Sequence, residues 1–157
     1  SYPNAISPAW SPDSKHLTFT SGRTGGTDRV IYNLDLQTGD TSPLISKNDT
    51  QLNPTWSPDG RYLLYLAYNA NPGIYLWDST SAQSILLFAP SVLNMRTPDW
   101  SSDSRFIIYA PSTATGNNSI FRLDVVKCLQ NKAICIPQPV THETGIYDNP
   151  RWRPHQS

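Results

Sequence analysis

The residues in this chain that could do chemistry are few, and their spacing argues against most of it. Three histidines, His16, His142 and His155, fall at unrelated places. One opens an apolar segment, one closes another and one lies in the tail, so no spacing gathers them as a metal-ligand set. Cys128 and Cys135 flank Leu-Gln-Asn-Lys-Ala-Ile, a stretch that reads as a hairpin turn. A lone cysteine pair closing a short loop favours a local disulfide and an oxidising compartment over two free buried thiols. As zinc ligands the pair would supply only half of a four-ligand set, with no histidine near. The sequence contains no Gly-x-Ser-x-Gly elbow and no glycine-rich phosphate loop. Gly25-Gly26 suits a hairpin turn. Asn48-Asp49-Thr50 and Asn117-Asn118-Ser119 match the glycosylation sequon, as chance matches do in a chain rich in Asn, Ser and Thr. No metal and no cofactor are expected.

One carboxylate does recur in a fixed context. Asp13, Asp59 and Asp103 end the runs Pro8-Ala-Trp-Ser-Pro-Asp13, Pro54-Thr-Trp-Ser-Pro-Asp59 and Pro98-Asp-Trp-Ser-Ser-Asp103, and Pro150-Arg-Trp-Arg-Pro154 is a shortened fourth copy. A catalytic residue has no reason to appear in every copy. A turn residue does: proline presets φ, the aspartate accepts nearby backbone N–H groups, and the Gly or Ser that follows takes the tight position. The tryptophan before the turn offers a large apolar plate for packing between neighbouring units.

The elements that hold these turns follow from the same repeat. Residues 16–21, 62–67 and 106–110 are short apolar segments bounded by turn residues, as buried strands are. Residues 30–35, 73–78 and 119–124 share an apolar-aromatic-x-x-Asp pattern, and 42–46, 84–88 and 138–141 are weaker strands. With the strand that leads into each Pro-x-Trp, every repeat holds four antiparallel strands. The tryptophans Trp10, Trp56, Trp100 and Trp152 recur every 44 to 52 residues, which is the size of a propeller blade. The expected fold is all-β: three four-stranded antiparallel blades at about 3–47, 48–91 and 92–143, plus one extra strand at 145–154.

Composition agrees. Glu143 is the only glutamate and charged residues make up 15% of the chain, so helix formers are scarce and strand and turn formers dominate. A formal net charge of zero, with no basic stripe, argues against nucleic-acid binding. No apolar run reaches the roughly 18 residues of a membrane span.

The quoted motifs closely resemble the TolB-like family of β-propeller repeats, with Pro54 to Asp78 matching its pattern best. Ser102 replaces the second proline in the third copy, and His155 stands where the last copy should carry Asp. Resemblance implies the fold over nearly the whole chain. Such repeats occur in periplasmic scaffold proteins, sensor domains, peptidase lids and some lyases. The peptidases keep their nucleophile on a separate α/β domain, and the lyases need propeller histidines that His16, His142 and His155 do not supply.

Propellers close with four to eight blades. Three blades and a strand therefore suggest either part of a longer propeller or a ring completed by a second copy, and the lone final strand suits the first. The start at Ser1 fits a processed product and a trimmed boundary equally. In a propeller the first strand of each blade lines the channel. The loops leading into these strands carry Asp49, Gln51, Asn94, Arg96, Tyr147 and Asp148, a mixed polar set suited to a protein or peptide partner. The expected function is a non-catalytic interaction module, periplasmic or extracellular. A sensor or lid domain of a larger signalling protein or peptidase, and a propeller-type lyase or hydrolase fragment, are the alternatives.

Overall fold

The computed structural model describes residues 2, 4–22, 28–45, 50–68, 71–90, 98–111, 119–142, 145, 147 and 150–152. They form three four-stranded antiparallel sheets, each in simple chain order. Blade one holds β1 (Ile6–Trp10), β2 (His16–Gly22), β3 (Arg29–Asp35) and β4 (Thr41–Pro43). Blade two holds β5 (Gln51–Trp56), β6 (Tyr62–Ala67), β7 (Gly73–Asp78) and β8 (Gln83–Phe88). Blade three holds β9 (Asp99–Trp100), β10 (Phe106–Tyr109), β11 (Phe121–Asp124) and β12 (Gln138–Pro139). The expected all-β fold of three four-stranded blades is therefore present.

Registers follow the repeat, with His16 opposite Asp35, Tyr62 opposite Asp78 and Phe106 opposite Asp124. The first strands of blades one and two each carry a bulge, centred on Ser7 and Asn53 at φ 52° and 55°. Pro8 and Pro54 follow directly. A residue without an N–H fits a place where the ladder is already interrupted.

Blade two is the centre of the core. Every residue of β6 is buried, because both faces of its sheet are covered. Leu63, Tyr65, Ala67 and Tyr75 pack with Ile31 and Ile45 of blade one. Tyr62, Leu64, Leu66, Ile74, Leu76 and Leu87 pack with Trp100, Ile107, Tyr109 and Leu123 of blade three.

The stretch between the cysteines is not a hairpin turn. Blade three inserts α1 (Val125–Gln130) and a 3-10 turn (Lys132–Ile134) between β11 and β12. Asp124 caps the helix, its side chain accepting the Lys127 N–H, and Asn131 does the same for Ala133. Val125 and Cys128 occupy one helix face and are buried. Cys128 and Cys135 are joined as a disulfide, and both enter the core between blades two and three. The short fourth strand β12 follows this excursion.

Three substitutions test this packing and its turns. Leu64→Ala should destabilise the protein by about 2–5 kcal/mol in urea unfolding, the range for opening a cavity at a fully buried leucine. Ser14 holds φ at 59° where blade two carries Gly60 at 73°. Ser14→Gly should therefore gain roughly 0.5–1 kcal/mol. Ser104→Gly should gain less, because Ser104 Oγ also accepts the Asp59 N–H of the neighbouring blade.

Candidate functional site

Each motif closes its hairpin with one small network. The hydroxyls of Ser11, Ser57 and Ser101 donate to Asp13, Asp59 and Asp103, each at 2.6 Å. The same carboxylate oxygens accept the N–H groups of Lys15, Arg61 and Arg105 at 3.0 to 3.1 Å. The serine oxygens in turn accept the first N–H of the next strand, from His16, Tyr62 and Phe106. These aspartates build turns. The Ser11 hydroxyl and then the Lys15 N–H hold the Asp13 carboxyl below the usual aspartate range, and the Ser101 hydroxyl and the Arg105 N–H do so for Asp103. At Asp35 the backbone N–H groups of Thr38 and Gln37 have the same effect.

The first strands lie side by side and are stitched across blades. Ser7 Oγ donates to Asn53 Oδ1 at 3.1 Å, joining the two bulges. Trp100 Nε1 donates to Thr55 O at 3.2 Å. Asp99 accepts the Trp152 N–H at 2.8 Å and pairs with Arg151 at 3.7 Å, and the Trp152 ring lies over Phe106. The C-terminal segment is thereby tied to blade three, where Gly145 also carries a single bridge. A groove of about 350 Å³ crosses this surface between Pro8, Trp10, Pro54 and Thr55, with Arg151 among its walls. Trp10 is 62% exposed there. The sequence reading looked to the loops and missed this strand surface. Its signal was the variable middle residue of Pro-x-Trp, which runs Ala9, Thr55, Asp99, Arg151.

The two seams between blades differ. Tyr62, Leu76, Trp100 and Leu123 are buried together in the seam of blades two and three. The repeat places His16, Asn33, Trp56 and Trp77 at the corresponding positions of the first seam, and all four are only half-buried. They line a cleft of about 420 Å³. The Trp56 and Trp77 rings are 6.1 Å apart and nearly perpendicular at 83°, and Asn33 Nδ2 lies 3.3 Å from His16 Nδ1. Asp13 and Asp59, both exposed, stand on the two turns at its open side.

Of the loop residues singled out from the sequence, Asp49, Asn94, Arg96 and Asp148 lie outside the described residues, as does His155. Gln51 is fully buried, and its Oε1 accepts the Ile31 N–H at 3.2 Å, so it stitches blade two to the third strand of blade one. Tyr147 is half-buried; a Cβ on Gly145 would come within 3.2 Å of its ring. His142 is exposed. Among the described residues no three His, Cys, Asp or Glu side chains gather as a metal set, and no helix is long and apolar enough to cross a membrane.

Three antiparallel four-stranded blades built on one repeated turn motif define a β-propeller. The chain belongs to the TolB beta propeller domain family, which matches residues 1–156. Solved structures agree on the fold. TolB from Acinetobacter baumannii is 22% identical with a TM-score of 0.67, over 90% of this chain and 33% of its own. A putative TolB from Agrobacterium tumefaciens is 17% identical with a TM-score of 0.67, over 79% of this chain and 47% of its own. Oligogalacturonate lyase from Vibrio parahaemolyticus is 15% identical with a TM-score of 0.68, over 98% of this chain and 43% of its own. The chain thus spans less than half the length of these relatives. No curated protein sequence matches it significantly.

Asp13, Asp35 and Asp103 give the fold an acid limit. A carboxyl whose folded pKa is depressed stabilises the fold above its unfolded value, near 4, and that contribution is lost as pH falls through the folded value. Thermal stability should hold from pH 7 to about 4 and decline below it, and Asp103→Asn should flatten the decline. Melting temperatures across a pH series check this; a Tm that rises on acidification would contradict it.

Proposed function

We propose that this chain is the non-catalytic, protein- or peptide-binding part of a TolB-like propeller that works in a periplasmic or extracellular compartment. The groove over the first strands carries the reading. It combines an exposed tryptophan, Trp10, with an arginine, Arg151, and open proline-bounded strands. Tryptophan and arginine are the side chains that most often dominate binding energy at protein interfaces. In sequence, Asp49, Asn94, Arg96, Tyr147 and Asp148 shortly precede the Pro-x-Trp segments.

Two further observations support it. The repeated carboxylates, the most numerous candidates for acid–base work, are each engaged by their own turn. The Cys128–Cys135 disulfide suits an oxidising compartment. A lyase or peptidase-lid role rests on likeness of fold, which many activities share.

The test is quantitative affinity capture from one extract with the wild-type protein and two double variants, Trp10→Ala/Arg151→Ala and Arg96→Ala/Tyr147→Ala. A partner recovered by wild type should be lost by about tenfold or more with the first pair, the effect of removing an interfacial anchor. Equal recovery by all three proteins would contradict the placement.

A further inference from the structure

A repeat protein offers an internal control: the same position can be compared from one copy to the next. The turn networks and the registers of the second and third strands follow the repeat across the described blades. One place departs from it. At the seam of blades two and three, four corresponding positions hold Tyr62, Leu76, Trp100 and Leu123, and all four are buried; the cleft at the turn end of that seam, about 460 Å³, is lined by Arg61 and Arg105 as well as by Asp59 and Asp103. At the seam of blades one and two the same positions hold His16, Asn33, Trp56 and Trp77, and a cleft of about 420 Å³ remains.

Packing alone does not explain these residues. Tyrosine and leucine close the other seam, and either would fit the same strands here. Imidazole and amide at His16 and Asn33 keep the cleft wet, while Trp56 and Trp77 supply two large ring systems standing almost at right angles. Trp56 also loses a bond that its counterpart keeps. Trp100 Nε1 donates to Thr55 O, whereas Trp56 Nε1 is enclosed without a partner. The carbonyl in the matching place, Ala9 O, accepts the Thr18 hydroxyl instead.

Asp13 and Asp59 stand on the two turns beside the cleft, and these turns approach closely enough that a Cβ on Gly60 would lie 3.9 Å from Pro12 Cγ. Lys15 and Arg61 follow on the same turns, but among the described residues no lysine or arginine lines the cleft. Perpendicular indole rings attract a cation through their quadrupoles, and flanking carboxylates add to that attraction. Sites of this kind are concave, largely apolar, and carry a few convergent polar groups.

We infer that the cleft between blades one and two, walled by Trp56 and Trp77 and flanked by Asp13 and Asp59, binds an organic cation: a quaternary ammonium or guanidinium head group. Two sources present this chemistry, a free small molecule such as choline or the basic side chain of a peptide. The site adjoins the first-strand groove, sharing Trp56 with it, but Trp77, His16 and Asn33 line the cleft alone.

Tryptophan emission of the purified protein is titrated with choline, with an arginine-containing peptide, and with a neutral hexose as control. A saturable change with either cation and none with the hexose is expected; which cation binds more tightly identifies the source. Trp77→Leu, the residue blade three carries there, should weaken binding by about tenfold. The double variant His16→Tyr/Asn33→Leu copies the buried pair Tyr62 and Leu76 of the other seam and should abolish binding while its Tm stays equal or rises. For these variants, and to check wild type without relying on emission, calorimetric titration supplies the affinity. Absence of cation binding to wild type by both methods, preference for the hexose, or undiminished binding by the folded double variant would overturn the inference.

Discussion

A single four-stranded blade leaves both faces of its sheet apolar, and everything else in this structure depends on the next blade covering them. Strand β6 shows the consequence. All six of its residues are buried, alternating between a neighbour on one side and a neighbour on the other. A strand buried on both faces reads as an unbroken apolar run, and Tyr-Leu-Leu-Tyr-Leu-Ala is one. The seam of blades two and three is reinforced further. The helical insert of blade three adds Val125 and its disulfide to the shared core, and Lys132 Nζ donates to the Leu86 and Leu87 carbonyls of the outer strand of blade two.

Against that constraint the first seam is an exception with a physical cause. Thr18, Thr20, His16 and Asn33 give blade one a more polar face toward blade two than blade two gives to blade three. Adhesion there comes from Ile31 and Ile45 against Leu63 and Tyr65, with Trp56 and Trp77 packed beside them, from the Ser7–Asn53 bond, and from Gln51 reaching the Ile31 N–H. One seam thus buries its four matching positions, and the other leaves them half-buried around a cleft. The turn networks keep each hairpin in register within its own blade, and the bond from the Asp59 N–H to Ser104 Oγ also joins two of the turns across the second seam.

Much of this was legible in the sequence because the repeat states it several times over. The second and third strands of each blade, the Ser-Pro-Asp turns and the all-β architecture follow from short apolar runs bounded by turn residues. What stayed hidden depends on contacts rather than on local pattern. The insert between Cys128 and Cys135 looks like a strand end and a turn, yet the Asp124 cap and one buried helix face decide for a helix. Gln51 resembles a polar loop residue, yet it is buried with its Oε1 accepting the Ile31 N–H of the neighbouring blade. The cleft required comparing positions in two seams, since neither His16 nor Trp77 is unusual alone. Arg151 and Asp99 sit far apart in sequence and met only when the last segment was placed on blade three.

The difference between the two seams is tested most directly by amide hydrogen exchange, which reports local opening strand by strand. Slowest exchange is expected along Leu63–Leu66 in β6, with β7 and β10 close behind and Leu17–Thr20 in β2 clearly faster. Exchange in β2 as slow as in β6 would mean that the first seam is packed as tightly as the second, and would contradict the difference between the seams at their four matching positions.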